Sequence, residues 1–253
     1  MPKTDVCEGV VLQMRDHGEF DRIVLCLTDR YGRMSFRAPR AKKKTSEFKG
    51  PLQLFTRHRI TFLPRQETWP VLRSLEELPL ELDAATNLDA YAAASWGAEL
   101  ALRLSKEGDP NLPLYETMMS FLPFVGREAL SQKAWCRFVL RLLDLQGYRP
   151  SWDYCMNCGF EFNGRKPMMF DLIDGAVVCL QCHPDEPMRK PHEGLVRLPS
   201  KLWATLFCLQ ERVRLPEGEL PWERAVWLLD KRIELMLDSP LRSRDFFREI
   251  LGY

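Results

Sequence analysis

The sequence lacks several features that mark common classes of protein. Its 253 residues contain no internal repeat, no low-complexity tract and no apolar run approaching the eighteen or so residues that span a bilayer. No Gly-Lys dipeptide occurs, which excludes a Walker A phosphate loop, and neither H-E-x-x-H nor G-x-S-x-G is present. We therefore expect a soluble protein that is not one of these enzymes.

Four of the eight cysteines form two closely spaced pairs. Cys155, Cys158, Cys179 and Cys182 follow the pattern C-x2-C-x20-C-x2-C, which is typical of a zinc ribbon at about 152–185, where four thiolates bind one Zn²⁺. Two short strand-like runs around Asp174-Gly175 predict a hairpin that brings the pairs together. Because four sulfurs fill a tetrahedron, the metal is expected to be structural and not catalytic.

Other interpretations of these cysteines stay open. The four thiols could be buried separately as small apolar side chains. His183, directly after Cys182, could replace one sulfur as a ligand. Disulfides are not expected, because residues 1–5 do not resemble a secretory signal and lead directly into a strand-like segment. We therefore expect the chain to stay in the reducing cytoplasm.

The first eighty residues are predicted to form a small β-barrel. Short runs rich in β-branched and aromatic residues lie at 6–14, 20–28, 33–38, 52–62 and 71–78, separated by turn signals. Five strands of this length suit an OB-fold, the five-stranded barrel that commonly binds oligonucleotides, although the strand count also fits an SH3-like barrel. We assign residues 1–80 to this nucleic-acid-binding domain.

Positive charge is concentrated in this N-terminal part. Residues 1–79 carry 15 Lys and Arg against 10 Asp and Glu, whereas residues 80–253 carry 21 against 25. Between Arg30 and Lys49, eight basic side chains face a single acid, Glu47. Such a loop is either a solvated surface segment or a binding site for an anion such as a nucleic-acid backbone, and the second interpretation is favoured on an oligonucleotide-type barrel.

Aromatic side chains of this domain are candidates for stacking on bases, although most are expected to fill the barrel. No single one of them is favoured. They are Tyr31, Phe36, Phe48, Phe55, Phe62 and Trp69.

From about residue 84 the sequence becomes helical. Apolar residues near helical spacing predict helices at 88–106, 112–124, 128–146, 200–213, 221–237 and 241–251, with a proline-bearing connector at 184–199. The cysteine hairpin interrupts this series, so we expect residues 81–253 to form one α-helical domain with an inserted zinc ribbon. The predicted fold class is α+β.

Three groups of motifs occur in order along the chain. Residues 18–28 (GEFDRIVLCLT) are followed by Gly32, and residues 38–46 by 50–55 (GPLQLF). Residues 145–150 (LQGYRP) lead into the first cysteine pair, and Gly175 precedes the second. In this succession the chain resembles the RecO family of bacterial recombination mediators. One departure is Arg40, which stands where the family often has a small residue, usually glycine.

The resemblance implies a non-enzymatic DNA repair protein of the bacterial cytoplasm, associated with the nucleoid. RecO proteins bind single- and double-stranded DNA, anneal complementary strands and, with RecR, help RecA displace single-strand-binding protein. A strip of basic residues that neutralises two phosphate backbones would suit annealing. The candidate DNA-binding residues of this chain are Arg37, Arg40, Lys42, Lys43, Lys44 and Lys49, extended by Arg15, Arg22 and Arg33 if the strands place these on the same face.

Two rival functions come from other classes. His17-Gly-Glu19 matches the H-x-E half of a zinc deaminase, but no proline precedes either cysteine pair, as the P-C-x-x-C half requires. The second is a zinc-ribbon adaptor in transcription or translation, working mainly through protein contacts, which the charge distribution does not separate from a RecO-like mediator. An adaptor should not accelerate annealing of protein-coated strands, so an assay separates it from a mediator.

Overall fold

The chain folds into two compact units. The first comprises Met1–Glu128 with Leu241–Gly252, and the second Ala129–Pro240 with Tyr253. The domain boundary that the sequence suggests after residue 80 stays a prediction. The computed structural model describes residues 3–48, 50, 52–82, 87–125, 131–162, 168–182, 194–237 and 240–251.

Five strands of the first unit close into a barrel in the order β1-β2-β3-β5-β4. All neighbouring pairs are antiparallel except β3 and β5, which run parallel. This closed five-stranded arrangement is the OB-fold that the sequence predicted. The strands are β1 (Asp5–His17), β2 (Asp21–Thr28), β3 (Gly32–Ala38), β4 (Arg57–Leu63) and β5 (Val71–Leu78).

Alternation of side chains along each strand fills the barrel. In β2, Val24 and Cys26 point into the barrel, while Leu25, between them, points to the opposite face and is partly exposed. Four of the six candidate aromatics, Phe36, Phe48, Phe55 and Phe62, are buried, which leaves few of them for ligand contact. The buried cluster consists of Cys7, Val11, Val24, Cys26, Phe36, Ala38, Ala41, Phe48, Leu52, Ile60, Phe62 and Leu72.

One half of β3 is covered by the segment that follows the first helix. β5 pairs with β3 at Arg37, and nearer the start of β3 the backbone N–H of Gly108 donates to Arg33 O at 2.8 Å. The Glu107 carboxylate accepts from the Ser35 backbone N–H at 2.6 Å. This segment thus satisfies backbone groups that an exposed strand edge would leave unpaired.

The close approach of that segment requires glycine at the start of β3. Gly32 has φ +62°, and a Cβ built on it would lie 1.8 Å from the carbonyl oxygen of Asp109. No side chain can be accommodated without moving the backbone.

Three helices and a short 3-10 turn complete the described part of the first unit. Asn87 and Asn111 cap the first two helices, since their side chains accept from Ala90 N and Leu114 N at 3.0 Å. The elements are α1 (Leu88–Leu104), α2 (Leu112–Phe121), the 3-10 turn (Leu122–Phe124) and α6 (Ser243–Leu251).

The second unit combines three helices with a small antiparallel sheet in the order β7-β6-β8. Trp152 stacks on Phe170 of this sheet with ring centroids 4.8 Å apart, and Trp203 donates its indole N–H to Trp152 O at 2.9 Å. These contacts attach the sheet to the helices. The elements are α3 (Ser131–Leu145), β6 (Met168–Asp171), β7 (Ala176–Cys179), β8 (Leu195–Leu198), α4 (Ser200–Glu211) and α5 (Trp222–Met236).

The predicted elements are present, with differences at their ends. Residues 52–56, predicted as the start of a strand, form a turn in which Phe55 has φ +63°. The helix predicted at 112–124 gives way to the 3-10 turn after Phe121. β8 was not predicted, because its four residues lie within the proline-bearing segment that we interpreted as a connector. Within the described residues, none of the helices is long and apolar enough to cross a lipid bilayer.

Candidate nucleic-acid interface and metal centre

The four paired cysteines meet in the second unit. Their Sγ atoms all lie within 4.8 Å of one another, and those of Cys158 and Cys179 are 3.6 Å apart. A tetrahedral metal with metal–sulfur bonds of about 2.3 Å requires sulfur–sulfur distances of about 3.8 Å. The four side chains therefore fit one metal ion, and His183, the other ligand considered, lies outside the described residues.

Local backbone geometry brings the sulfurs together. The Gly159 N–H donates to Cys155 O at 2.9 Å, and Gly159 has φ +72°, which closes a tight turn around the first pair. In the second pair, the Cys182 N–H donates to Cys179 O at 3.1 Å. The β6–β7 hairpin connects the two, as the sequence predicted, because Cys179 ends β7 beside Met168.

Backbone donors favour the thiolate form of one of the four cysteines, Cys155. Burial raises the pKa of the Cys155 thiol, but backbone N–H groups of Cys179, Cys158 and Asn157 outweigh it and lower that pKa to about 6. Hydrogen bonding to the neighbouring sulfurs, first Cys158, raises the pKa of Cys182 to about 12. Four thiols this close together cannot all lose their protons unless a cation offsets the negative charge of the thiolates. A bound metal ion would supply that positive charge.

A buried arginine holds the hairpin next to the cysteines. The guanidinium of Arg232, on α5, donates to the carbonyl oxygens of Leu172, at 2.6 Å, and Ile173. A Cβ on Gly175 would lie 2.7 Å from the same guanidinium. Sequence reasoning missed this arginine, because nothing in its helical context distinguishes it from a surface residue.

Three segments meet at one end of the barrel. The Lys42 N–H donates to Phe20 O at 3.0 Å, which joins the basic segment to the β1–β2 turn. The Arg37 N–H donates to Pro70 O at 2.9 Å, which joins β3 to the β4–β5 loop. We call this region the basic end; it comprises residues 17–21, 39–48 and 64–70 and the adjoining strand ends.

Strand register places two predicted arginines on one face at the basic end. Arg15 pairs with Ile23, and Ile23 pairs with Arg37, so the three side chains lie side by side across β1, β2 and β3. Two strand spacings separate the arginines by about 10 Å. Arg22, next to Ile23, points to the opposite face and forms an ion pair with Asp16 at 3.4 Å.

Two aspartates hold the basic segment in place. Asp21 accepts from the Arg40 backbone N–H at 2.8 Å, and Asp16 forms an ion pair with Lys42 at 3.0 Å. The hydrogen bond from Lys42, followed by Arg22, lowers the pKa of the Asp16 carboxyl below its usual value of 3.8. The sequence analysis did not single out these acids; their signal was their position on either side of the Gly18 turn.

Arg40 adopts an unusual backbone conformation. Its φ is +55°, in the left-handed region that favours glycine, the residue that the resemblance led us to expect there. The side chain of Arg40 is exposed, as is that of Lys44. A charged residue therefore occupies a position whose backbone conformation costs about 1 kcal/mol or more in a non-glycine residue.

The remaining candidate residues differ in their surroundings. Arg33 donates to Leu102 O at 2.7 Å and forms an ion pair with Glu107 at 3.3 Å. Its guanidinium therefore links β3 to α1 and to the segment that follows α1. Lys43 lies over the Phe20 ring. Lys49 falls outside the described residues. DNA contact by each of the nine candidate side chains stays a prediction.

Comparison with known proteins agrees with this architecture. The family model described as Recombination protein O N terminal matches residues 1–75, and Recombination protein O C terminal matches residues 85–245. Proteins named DNA repair protein RecO are similar along most of the chain. That of Myxococcus xanthus (strain DK1622) is 29% identical over 243 residues, covering 96% of each chain.

Two further relatives carry the same name. DNA repair protein RecO of Syntrophotalea carbinolica is 31% identical over 176 residues, which cover 69% of this chain and 68% of the relative. That of Pelobacter propionicus is 30% identical over 175 residues, covering 69% and 70%. Since the two family models together match most of the chain and curated relatives of this name cover more than two thirds of it, the chain belongs to the RecO family of DNA repair proteins.

Proposed function

We propose that this protein is a recombination mediator that binds single- and double-stranded DNA without sequence preference and anneals complementary strands. With RecR it would help load RecA onto single-stranded DNA coated with single-strand-binding protein. The observation that carries the proposal is the basic end of an OB-fold barrel. There, Arg15 and Arg37 lie on one face, and Lys42, Lys43 and Arg40 lie on the adjoining segment.

The basic side chains of this region are better suited to contacting phosphates than to recognising particular bases. Arg15, Arg37, Arg40, Lys42 and Lys44 are all exposed and present charges on flexible stems. Contacts of this kind neutralise a backbone irrespective of sequence, and they release counterions, so affinity falls steeply with salt. A strip that neutralises two backbones at once would lower the repulsion that opposes annealing.

The charges at the basic end are held loosely. Lys42 pairs with Asp16, a carboxylate that is 60% exposed, and exposed ion pairs contribute little to stability. A phosphate backbone can therefore replace the Asp16 carboxylate at low cost. The positive φ of Arg40 supports the same proposal, because a glycine at that position would avoid the backbone cost and lose the charge.

The proposed activity requires no bond chemistry, so we propose that the protein is not an enzyme. We further propose that the metal is zinc, one ion per chain, bound by Cys155, Cys158, Cys179 and Cys182. Four thiolates in a closed tetrahedron leave no position for substrate, so the ion would stabilise the fold only. A protein with this function would work in the bacterial cytoplasm at the nucleoid.

The test is a fluorescence anisotropy titration of single-stranded and duplex DNA at several salt concentrations. Replacing Lys42, Lys43 and Lys44 with alanine should weaken binding to all sequences and reduce the salt slope by up to about three. A matched control replaces three exposed basic residues of the second unit, Lys201, Arg214 and Arg224, with alanine. Equal behaviour of the two triple variants would remove the basic segment from the DNA site.

A second candidate, the zinc-ribbon adaptor, is favoured by one observation. Tyr154, Met156 and Phe160 are large side chains around the first cysteine pair, and they are 54%, 46% and 39% exposed. Exposed apolar groups so close together suit a protein contact. An adaptor would bind its protein partner through these residues and would leave annealing of protein-coated strands unaccelerated.

A further inference from the structure

Two aromatic rings at the basic end are exposed, whereas most of the barrel's aromatics are buried. Phe20, on the β1–β2 turn, is 41% exposed, and Trp69, on the β4–β5 loop, is 36% exposed. By contrast, Phe36 and Phe62 in the core are 0% and 2% exposed. Phe20 was not among the aromatic candidates that the sequence suggested, and nothing in the sequence favoured Trp69 over the others.

Each exposed ring carries a cation over its face. The Lys43 Nζ lies 4.4 Å from the centroid of Phe20, and the Arg15 Cζ lies 5.6 Å from the ring of Trp69. Both distances are within the range of a cation–π contact. The two ring-and-cation pairs therefore repeat one arrangement with residues from four different parts of the barrel.

The two pairs are also neighbours. The His17 ring contacts Trp69 edge-on, with ring centroids 5.1 Å apart. His17 and Phe20 are three residues apart on the same turn, so their Cα atoms are separated by at most about 11 Å. One short oligonucleotide can therefore reach both rings.

A nucleotide needs the two groups that each pair offers. Its base has a flat π-face that stacks on aromatic rings whatever the sequence, and its phosphate takes a cation. In an OB-fold the β1–β2 and β4–β5 loops, which carry these rings, flank the surface that takes oligonucleotides. A duplex hides its base faces in the helical stack, so only unpaired bases can use the rings.

We propose that Phe20 with Lys43 and Trp69 with Arg15 form two nucleotide positions for single-stranded DNA. Each cation leaves its ring to bind a phosphate, and an unpaired base stacks on the ring face that the cation covered. This inference rests on the proposed DNA-binding function and adds to it a preference for unpaired bases at the basic end. Such a preference would hold a strand with its bases separated before it meets its complement.

The test compares three ligands of equal length: single-stranded oligo(dT), an abasic spacer oligonucleotide with the same phosphates, and blunt duplex DNA. Phe20→Ala and Trp69→Ala should each weaken binding to oligo(dT) by about five- to a hundredfold, the loss of one stacked base. Both variants should bind the abasic oligonucleotide and the duplex as the unmodified protein does. Trp69→Phe and Phe20→Tyr, which keep a ring, should retain most of the affinity.

Matched controls exist elsewhere in the chain. Phe124 is 41% exposed and Trp227 is 42% exposed, so each matches the type and exposure of a proposed stacking residue. Phe124→Ala and Trp227→Ala should leave the affinity for oligo(dT) unchanged.

Three outcomes would overturn the proposal. Equal losses on all three ligands would mean that the rings only fasten the loops, and losses equal to those of the controls would mean that they have no special role. Equal binding of the unmodified protein to oligo(dT) and abasic oligonucleotide would remove stacking while leaving DNA binding by charge intact. Failure of the unmodified protein to bind any ligand would instead refute the proposed function itself.

Discussion

The barrel and the cysteine hairpin are stabilised in opposite ways. The barrel has strands of seven to thirteen residues, a closed ring of strand pairs and a continuous apolar core. The hairpin has strands of four residues, and polar groups meet around it: four sulfurs converge, and Arg232 donates to two backbone carbonyls. A small sheet of this size cannot bury enough apolar surface to be stable alone.

The difference determines which polar groups are available for a ligand. The barrel is filled by an apolar core, and Arg15, Arg37 and Lys44 lie exposed on its surface. The sulfurs beside the hairpin lie together, and a metal bound by all four would have no free coordination position. Binding is therefore expected from the barrel and structural support from the metal.

The largest expected effect is loss of the hairpin when its metal is removed. In small zinc domains the metal contributes about 10 kcal/mol or more to folding. Chelation, or Cys155→Ser, should release the metal and bring amide hydrogen exchange at 168–179 close to that of an unfolded chain. The amides of β2 should stay protected.

The control for this prediction is Cys208→Ser, a partly exposed cysteine on α4 outside the cluster. It should keep a full complement of metal. Normal amide protection at 168–179 in a metal-free Cys155→Ser variant would contradict the proposed difference between the two regions. The hairpin would then be stable without a metal.

A smaller effect should follow from disturbing the fit of the barrel to the segment after α1. Gly32 and Gly18 have nearly the same φ, +62° and +59°, but a Cβ on Gly18 meets no atom within 4 Å. Both alanine substitutions should cost about 1–2 kcal/mol for the left-handed backbone. Gly32→Ala should cost a further 1–3 kcal/mol or so, because its Cβ meets Asp109 O.

Urea unfolding of the two glycine variants measures this difference. Equal free energies of unfolding would show that the segment after α1 does not pack tightly against β3. The stability of the barrel would then depend even less on the rest of the chain than we infer.

A third, pH-dependent effect concerns the attachment of α6 to α1. The Glu99 carboxylate accepts from the backbone N–H groups of Ser243, at 2.8 Å, and Arg242, at 3.0 Å, and so caps α6. Burial raises the pKa of Glu99, but these hydrogen bonds outweigh it and lower that pKa below its usual 4.5. The cap therefore stabilises the fold fully above pH 4.5 and is lost as the pH falls through the lowered pKa.

Glu99→Gln should reduce stability by about 1 kcal/mol at neutral pH, as loss of a helix cap does. The difference from the unmodified protein should shrink as the pH falls below 4.5, where Glu99 itself becomes protonated. Thermal melts from pH 3 to pH 7 measure this, and a pH-independent difference would contradict the assigned ionisation.

The smallest effect should come from releasing the basic segment. Asp16→Asn removes the ion pair with Lys42 and should raise DNA affinity a few-fold, with a steeper salt dependence. Glu19→Gln removes the same charge from the same turn without touching that ion pair. If both variants gain affinity equally, net charge and not the Asp16 contact controls access to the basic segment.

The fold was largely predictable because its signals are local. Alternating strands, turn glycines and the spacing of the cysteines predicted the barrel, the hairpin and the converging sulfurs. The resemblance at Arg40 was informative as well, since the glycine expected there corresponds to a left-handed backbone. β8 was not predicted because a strand of four residues is too short to show a clear alternation of apolar and polar residues, and it lies in a proline-bearing segment.

The details of the candidate site depend on contacts between distant parts of the chain. The partner of Arg33, Glu107, is 74 residues away, and Arg232 reaches Leu172 over 60 residues. No sequence pattern shows which basic residues face outward and which hold a backbone segment. The pairing of Trp69 with Arg15 is likewise a product of barrel closure.

The most direct test of the account measures annealing of complementary strands coated with single-strand-binding protein, at two salt concentrations. We predict that the protein accelerates annealing without nucleotide, that higher salt suppresses the acceleration, and that replacing Lys42, Lys43 and Lys44 with alanine abolishes most of it. Full acceleration by this triple variant would contradict the assignment to the basic end. No acceleration by the folded, metal-loaded protein would contradict the mediator function itself.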